Sequence, residues 1–386
     1  MEASLELSAA QIAADDFFES GYQLALPPQR SAPQGIVQAI DELGSTLGPA
    51  VVFATSGSTG EEKWVVIEKS ALRSSAEMVC RHLGTSKGDR WICPLPIGHV
   101  GGAGVFVRAR VSGGELVPWD GRWSPEQFTR SCEAEGVHWT SLVPTQVHDL
   151  VASGCRASRS LRGVVVGGGA LALDQKRAAE SLGWPILRSF GMTEASSQIA
   201  TERRGEDELT VLEGWEVREE TENRLAIRGV GLFSGYLLKR DSGDWSFERP
   251  FDEEGWFVST DRVSLSNGGD RFQLEPLGRL DDRVKVLGEL VSVDRIEDRL
   301  RQILSAKGVD SREFAVVAIP DPRAGNRLVL AASASAEEAE NWRNLFNLSG
   351  VLPVERLSMS VALTEIPRSE LGKVRRNLLA EIVLGV

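Results

Sequence analysis

Two rhythms of apolar and polar positions run along this chain, and the points where they change over outline its elements. Through residues 8–19 and 35–46 apolar positions recur at helical spacing, which predicts two short amphipathic helices. A proline-rich connection at Pro27-Pro28 and Pro33 joins them. Ala50-Val51-Val52-Phe53-Ala54 and Trp64-Val65-Val66-Ile67 are β-branched and aromatic, hence strands, with a polar glycine-rich stretch between them. Residues 69–83 return to helix, and Arg90 to Pro96 read as a strand running into a loop. Ser124 caps a helix reaching Glu135, with Pro125 at its first position. Strand 140–143, helix 144–153, buried strand 163–166 and strand 185–188 follow. Strands alternating with helices over residues 90–200 predict a largely parallel sheet. From Glu213 the runs shorten, at 215–217, 225–227 and 256–258, which predicts a β-rich subdomain. Beyond Asp281 the pattern is compact α+β: helix 294–306 and strands 314–319 and 328–333. The expected fold class is therefore α/β, a large N-terminal domain of mixed and parallel sheets with flanking helices, residues 1–280, and a small α+β domain, residues 281–386.

Composition narrows the function. A length of 386 residues suits two domains, and a net charge of −12 argues against a nucleic-acid or anionic-membrane binder. Residues 281–386 carry 15 Lys and Arg against 16 Asp and Glu, so the acidity lies before them and supports a boundary there. The four cysteines are scattered and the four histidines show no metal-ligand spacing, which fits reduced thiols in a cytoplasmic protein. The first residues lack a basic region and a long apolar run, so no signal peptide is expected, and no 18-residue apolar segment predicts a membrane span.

Candidate chemistry begins with Thr55-Ser56-Gly57-Ser58-Thr59-Gly60-Glu61-Glu62-Lys63. Its glycines let backbone N–H groups turn inward, its hydroxyls donate, and its lysine supplies charge, a combination that wraps a polyphosphate. A Walker-type loop would need a second glycine where Glu62 stands and a helix afterwards, so this loop is of another kind. Gly167-Gly168-Gly169-Ala170 ends a strand, either as a tight turn or as bare backbone that lets a flat ring approach. Gly191, Thr193 and Glu194 in Ser189-Phe190-Gly191-Met192-Thr193-Glu194 suit a metal–nucleotide site, although Glu194 also reads as a favoured helix-start carboxylate. Asp261 is a turn residue or an acceptor for ribose hydroxyls. Gly278-Arg279-Leu280-Asp281-Asp282 reads as a solvated linker or a hinge, and Gly372-Lys373 as a basic tail or a loop presenting an ammonium to phosphate.

These blocks, in this order over residues 50–376, resemble the adenylate-forming superfamily of acyl-CoA synthetases, luciferases and peptide-synthetase adenylation domains. The resemblance implies that Thr55, Ser56, Gly57, Ser58, Thr59, Gly60 and Lys63 hold the pyrophosphate end of ATP. Gly168, Gly169, Ala170 and Phe190 would line the adenine, Gly191 would belong to the same cofactor site, Thr193 and Glu194 would meet phosphate and Mg²⁺, and Asp261 and Arg279 the ribose. Asp281 would be the hinge of a small mobile domain, and Lys373 would bridge carboxylate and α-phosphate. Pro94 to Gly102, Leu142 to Gln146 and Gly191 to Ile199 further resemble the o-succinylbenzoate–CoA ligases of menaquinone biosynthesis, which makes His99, Gln146, Ser197 and Gln198 candidates for the acyl pocket. The phosphate loop comes early, implying a minimal or missing N-terminal portion. Three motifs differ: Glu62-Lys63-Trp64 stands for Pro-Lys-Gly, Ser259-Thr260-Asp261 for Thr-Gly-Asp, and Glu289 follows Gly288 where the hinge-side loop meets coenzyme A in members of the superfamily.

The implied activity is an acid–thiol ligase using ATP, Mg²⁺ and coenzyme A as co-substrate on a small carboxylic acid, with neither nucleic acid nor membrane as partner and a homo-oligomer left open. The alternatives are an adenylation enzyme that activates another aryl, acyl or amino acid for coenzyme A or a carrier protein, and a non-catalytic nucleotide-binding scaffold.

Overall fold

The computed structural model describes residues 6–26, 31–44, 46–56, 62–119, 121–240, 242–269, 271–280, 283–286, 289–310, 312–321, 324–369 and 372–385. The chain divides into two compact units. The first holds residues 1–259 and 264–275, the second residues 260–263 and 276–386.

The first unit opens with helix α1 (Ala9–Ala13), strand β1 (Tyr22–Ala25), helix α2 (Ile36–Leu43) and the hairpin β2 (Ala50–Ser56) and β3 (Glu62–Glu68). The first helix is shorter than its apolar spacing suggests, because Ala14 turns extended and ends it. Helix α3 (Lys69–Leu83) stops at Gly84, whose positive φ of 68° closes the last turn. Strand β4 (Arg90–Ile92), helix α4 (Val100–Ser112) and strand β5 (Glu115–Val117) come next. Then follow α5 (Pro125–Ala134), β6 (Trp139–Leu142), α6 (Pro144–Ala152), β7 (Gly163–Val166), α7 (Leu173–Ser181) and β8 (Ile186–Phe190). Ser124 caps α5 by accepting from the Gln127 amide at 3.3 Å. Strands β9 (Ala200–Glu202), β10 (Leu209–Val211), β11 (Trp215–Glu219), β12 (Arg224–Gly229), β13 (Gly235–Lys239), β14 (Trp245–Glu248), β15 (Phe257–Asn267) and β16 (Phe272–Arg279) complete the series.

Two sheets result, one of five strands in the order β1-β2-β3-β13-β14 and one of eleven in the order β11-β12-β15-β16-β10-β9-β8-β7-β6-β4-β5. The short strands after Glu213 therefore build no sheet of their own. Strands β13 and β14 extend the first sheet and the others extend the second, so their backbone N–H and C=O groups find partners on existing edges. The block β8-β7-β6-β4-β5 is parallel, as the strand–helix alternation predicts. Strands β6 and β7 at its centre are buried along their whole length, and α5, α6 and α7 seal one face around Phe128, Leu150, Val164 and Trp184. Helix α4, absent from the sequence-based pattern, buries Ala103, Val105, Val107 and Ala109.

The second unit continues with β17 (Arg283–Val286), β18 (Glu289–Ser292), α8 (Val293–Ser305), β19 (Phe314–Asp321), β20 (Gly325–Ala332), α9 (Ala336–Asn347), β21 (Leu357–Ala362) and α10 (Arg376–Gly385). Alternation along β19 and β20 serves two cores. Val316, Leu328 and Leu330 pack with Ile296 and Leu300 of α8 and Trp342 and Phe346 of α9. Val317, Val329 and Ala331 pack instead with Leu379 and Val383 of α10.

Candidate nucleotide and acyl site

Parallel strands β6, β7 and β8 end side by side, and the second sheet changes sense at β8, which is parallel to β7 and antiparallel to β9. Open α/β sheets bind ligands at such carboxyl ends. Beyond β7, Gly168 has φ of +78°, and Gly168, Gly169 and Ala170 are exposed, so a ledge without bulky side chains lies at the strand end. A Cβ on Gly167 would lie 2.8 Å from the Ser189 hydroxyl, which itself donates to the Val166 carbonyl at 3.1 Å.

Between β8 and β9 the chain folds back hard on itself. A Cβ on Gly191 would stand 1.7 Å from the Ser197 carbonyl oxygen, so no side chain fits there. Ser196 and Ser197 take φ of 55° and 127°, conformations that non-glycine residues hold only when their surroundings enforce them. Ser196 is fixed by donating to the Gly231 carbonyl at 2.7 Å. This loop presents Thr193 and Glu194 on a single 3₁₀ turn after the half-buried Phe190. The Glu194 carbonyl accepts from the Phe233 amide at 2.9 Å, and its carboxylate Oε1 accepts from the Tyr236 hydroxyl at 2.8 Å.

The same tyrosine reaches the hairpin strand that follows the candidate phosphate loop. Lys63 Nζ lies 5.5 Å from the Tyr236 ring centroid, within cation–π range. Thr55 faces Lys63 across the β2–β3 hairpin and donates its hydroxyl to the Lys63 carbonyl at 3.0 Å. Gly57, Ser58, Thr59 and Gly60 lie outside the described residues, as do Asp281 and the Ser56 side chain. Both flanks of the loop and Glu194 are thus joined through Tyr236, a residue that the motifs did not point to.

On the acyl side, His99 is the residue before α4, and its amide donates to the Pro96 carbonyl at 3.1 Å. Gln146 is buried in the first turn of α6, where its Oε1 accepts from the Val143 amide at 3.1 Å. Gln198 is also buried, its Oε1 accepting from Thr201 at 2.6 Å. The side-chain oxygens of both glutamines are engaged within the fold. The prominent group here is one that sequence reasoning passed over. Arg108 on α4 is 2 % exposed, donates through Nη2 to the Ser141 hydroxyl at 3.1 Å, and has no partner for Nε. Among the described residues no carboxylate pairs with it, and burial pulls its pKa below the usual arginine value. A Cβ on Gly104 would lie 3.3 Å from Arg108 Nη1 and 3.6 Å from Ser197 Oγ, which places guanidinium, Ser197 and the bare helix face around one spot. The nearby Cys80 and Cys93 thiols are pushed up by burial, Cys93 to about 12, and give the cation no counter-charge at neutral pH.

In the second unit, Arg279 meets Asp261 at 3.5 Å and donates to the Thr260 hydroxyl at 2.6 Å. Lys373 is exposed in a turn closed by Ser369, whose amide donates to the Lys373 carbonyl at 2.7 Å. Gly372 allows the turn with φ of 74°. Arg368 secures one side, reaching the carbonyls of Gly372 and Arg312. Arg376 secures the other through Asp294 at 2.6 Å, Glu297 at 2.8 Å and the Val316 carbonyl at 2.7 Å.

Comparison with known proteins accords with this geometry. A family profile described as AMP-binding enzyme matches residues 30–237. The chain is 25% identical over 340 residues to a 2-succinylbenzoate–CoA ligase of Listeria monocytogenes, covering 86% of this chain and 70% of that protein. It is 30% identical over 288 residues to the ligase of the same description from Salmonella typhimurium, covering 74% of this chain and 58% of that protein. Its fold is that of o-succinylbenzoate CoA synthetase from Bacillus subtilis, solved in complex with an acyl-adenylate intermediate, with a TM-score of 0.70 at 23% identity over 97% of this chain and 81% of that one. ATP-bound MatB from Rhodopseudomonas palustris has the same fold, with a TM-score of 0.72 at 19% identity over 96% and 81% of the two chains. With a profile match over more than half its length and the strand-end site just described, this chain belongs to the AMP-binding enzyme family.

Proposed function

We propose that the protein is an ATP-dependent acid–thiol ligase that adenylates o-succinylbenzoate and passes the acyl group to coenzyme A. The observation that carries the acid class is Arg108, a buried guanidinium with an unpartnered Nε and, among the described residues, no carboxylate beside it. Leaving a charge so placed costs several kcal/mol, roughly, unless a ligand supplies the counter-ion. An acid with two carboxylates fits: one would pair with Arg108 and Ser141, the other would react. The relatives' descriptions as 2-succinylbenzoate–CoA ligases support the same acid.

In the first half-reaction a carboxylate oxygen attacks the α-phosphorus, the bond to the β-phosphate breaks, and pyrophosphate leaves. Little covalent chemistry falls to the protein, so positioning and charge neutralisation dominate. Lys63 and Thr55 would meet the pyrophosphate end, the Gly168–Ala170 ledge and Phe190 the adenine, and Asp261 and Arg279 the ribose. Lys373 would neutralise charge between carboxylate and α-phosphate. In the second half-reaction the small domain, hinged at Asp281, would withdraw Lys373. The thiol sulfur then attacks the acyl carbon, AMP departs and the thiol proton goes to solvent.

Among the described residues no three His, Cys, Asp or Glu side chains gather as a metal cage. Glu194, with one oxygen held by Tyr236, and the adjacent Thr193 hydroxyl fit Mg²⁺ of the kind that rests mainly on substrate phosphates. Such an ion would neutralise phosphate charge. A cytoplasmic setting belongs to the same reading. The test is coenzyme A-dependent AMP release with o-succinylbenzoate against benzoate, fatty acids and amino acids. Turnover of o-succinylbenzoate above the others is expected. Turnover of another acid alone would replace the substrate, and transfer to a carrier protein alone would replace coenzyme A.

A further inference from the structure

Tyr236 contacts both an ammonium and a carboxylate that the motifs assign to the phosphate end of one ligand, Lys63 through its ring and Glu194 through its hydroxyl. We propose that it is a positioning residue for the divalent cation, its hydroxyl fixing the Glu194 carboxylate and its ring holding Lys63 apart from it. The proposal rests on reading Glu194 as the cation-holding carboxylate of an ATP site.

The placement follows from strand register. Strands β13 and β3 are antiparallel with Tyr236 opposite Val65 and Leu238 opposite Lys63, so Tyr236 and Lys63 are diagonal neighbours on one face of the sheet. The ring is itself braced: Phe233 packs against it at 4.8 Å between centroids, and Phe257 packs edge-on behind Phe233 at 5.0 Å. Phe233 also anchors the backbone of Glu194, so tyrosine and glutamate are referenced to the same support.

Two consequences bear on a cation. The hydroxyl occupies Oε1 at 2.8 Å, which sets the carboxylate plane and leaves Oε2 as the oxygen to offer. A phenol hydrogen bond to a charged acceptor is of the stronger kind. The ring meanwhile holds Nζ over its face, while the carboxylate is held at its hydroxyl edge. Among the described residues no ion pair joins Lys63 to Glu194, so an incoming phosphate and cation have no such pair to break.

Tyr236→Phe keeps the ring and removes the hydroxyl, and Tyr236→Leu removes both. Mn²⁺ binding is measured by electron paramagnetic resonance on the full chain saturated with a non-hydrolysable ATP analogue, with thermal melting as the control for folding. Tyr236→Phe is expected to weaken Mn²⁺ about tenfold, the loss of one hydrogen bond to a charged group. The Mg²⁺ concentration for half-maximal ATP–pyrophosphate exchange should rise by a similar factor, with the KM for the acid unchanged. Tyr236→Leu should weaken Mn²⁺ further, because Lys63 is then able to pair with Glu194. In a Glu194→Gln background the effect of Tyr236→Phe should vanish. Mn²⁺ binding within twofold of wild type in Tyr236→Phe, or an undiminished effect in the Glu194→Gln background, overturns the proposal. A wild-type nucleotide complex that retains no Mn²⁺ overturns the reading of Glu194 instead, and Tyr236's role with it.

Discussion

Replacing Arg108 by methionine keeps most of the side-chain volume while deleting its charge and five N–H donors. In the unliganded protein the change removes a buried cation whose Nε is unpartnered and which, among the described side chains, donates to Ser141 alone. Exchanging a buried ion for an apolar side chain of similar size is neutral or stabilising by about 1–4 kcal/mol, against about 1 kcal/mol for the lost Ser141 bond. The melting temperature of Arg108→Met should therefore hold or rise. Catalysis should move the other way. Losing charge-assisted hydrogen bonds to the second carboxylate costs about 3 kcal/mol, or about 150-fold in kcat/KM. The decisive assay compares AMP release on o-succinylbenzoate with release on the same acid lacking its ring carboxylate. The first should fall by about that factor and the second by far less. Equal losses on both acids, or intact activity on the diacid, would refute the reasoning.

Lys373→Ala should lower adenylation by about 10²–10³-fold and spare thioester formation from supplied acyl-adenylate. If single-turnover assays of the two half-reactions fell together, Lys373 would lose its role. Gly191→Ala forces a methyl to within 1.7 Å of the Ser197 carbonyl and should cost about 3 kcal/mol or more, with activity lost below the melting point because the Glu194 turn moves too. An unchanged melting curve would contradict it. Burial raises the thiols of Cys93 and Cys132 from the usual 9.0 to about 12. Between pH 9 and 12 the unfolded chain gives up thiol protons that the native one keeps, so this contribution to stability is intact below pH 9 and falls as pH rises towards 12. A chromogenic disulfide reagent should find both thiols unreactive at neutral pH until the protein is denatured.

The chemistry that sits on backbone was the part most legible in the sequence. Gly167, Gly168 and Gly191 each stand where a Cβ or a negative φ would not serve, and such positions leave their mark in composition. Helix α4 was not legible, because Gly101, Gly102 and Gly104 read as helix breakers. Two of them in fact permit contact: a Cβ on Gly102 would lie 2.1 Å from the Pro96 carbonyl, and Gly104 faces Arg108. With the helix unseen, an arginine within Gly104-Val105-Phe106-Val107-Arg108-Ala109 drew no notice, although a lone charge in an apolar run is the signal that could have found it. Tyr236 left no local signal, since its partners lie 42 residues away at Glu194 and on another strand at Lys63. Gln146 and Gln198, candidates for the acyl pocket, also hold the fold locally: their side-chain oxygens accept from Val143 and Thr201, contacts that the motifs did not show.

On the proposed reading, the buried guanidinium of Arg108 would also act as a filter by repulsion. Amino acids are abundant carboxylates in any cell, and their ammonium distinguishes them from o-succinylbenzoate. At about 4 Å and an effective dielectric near 20, two like charges repel by about 4 kcal/mol. An acid whose tail carried an ammonium to Arg108 would therefore be turned away by roughly three orders of magnitude before shape is consulted. Selectivity at this position would then come as much from what the cation refuses as from what it holds.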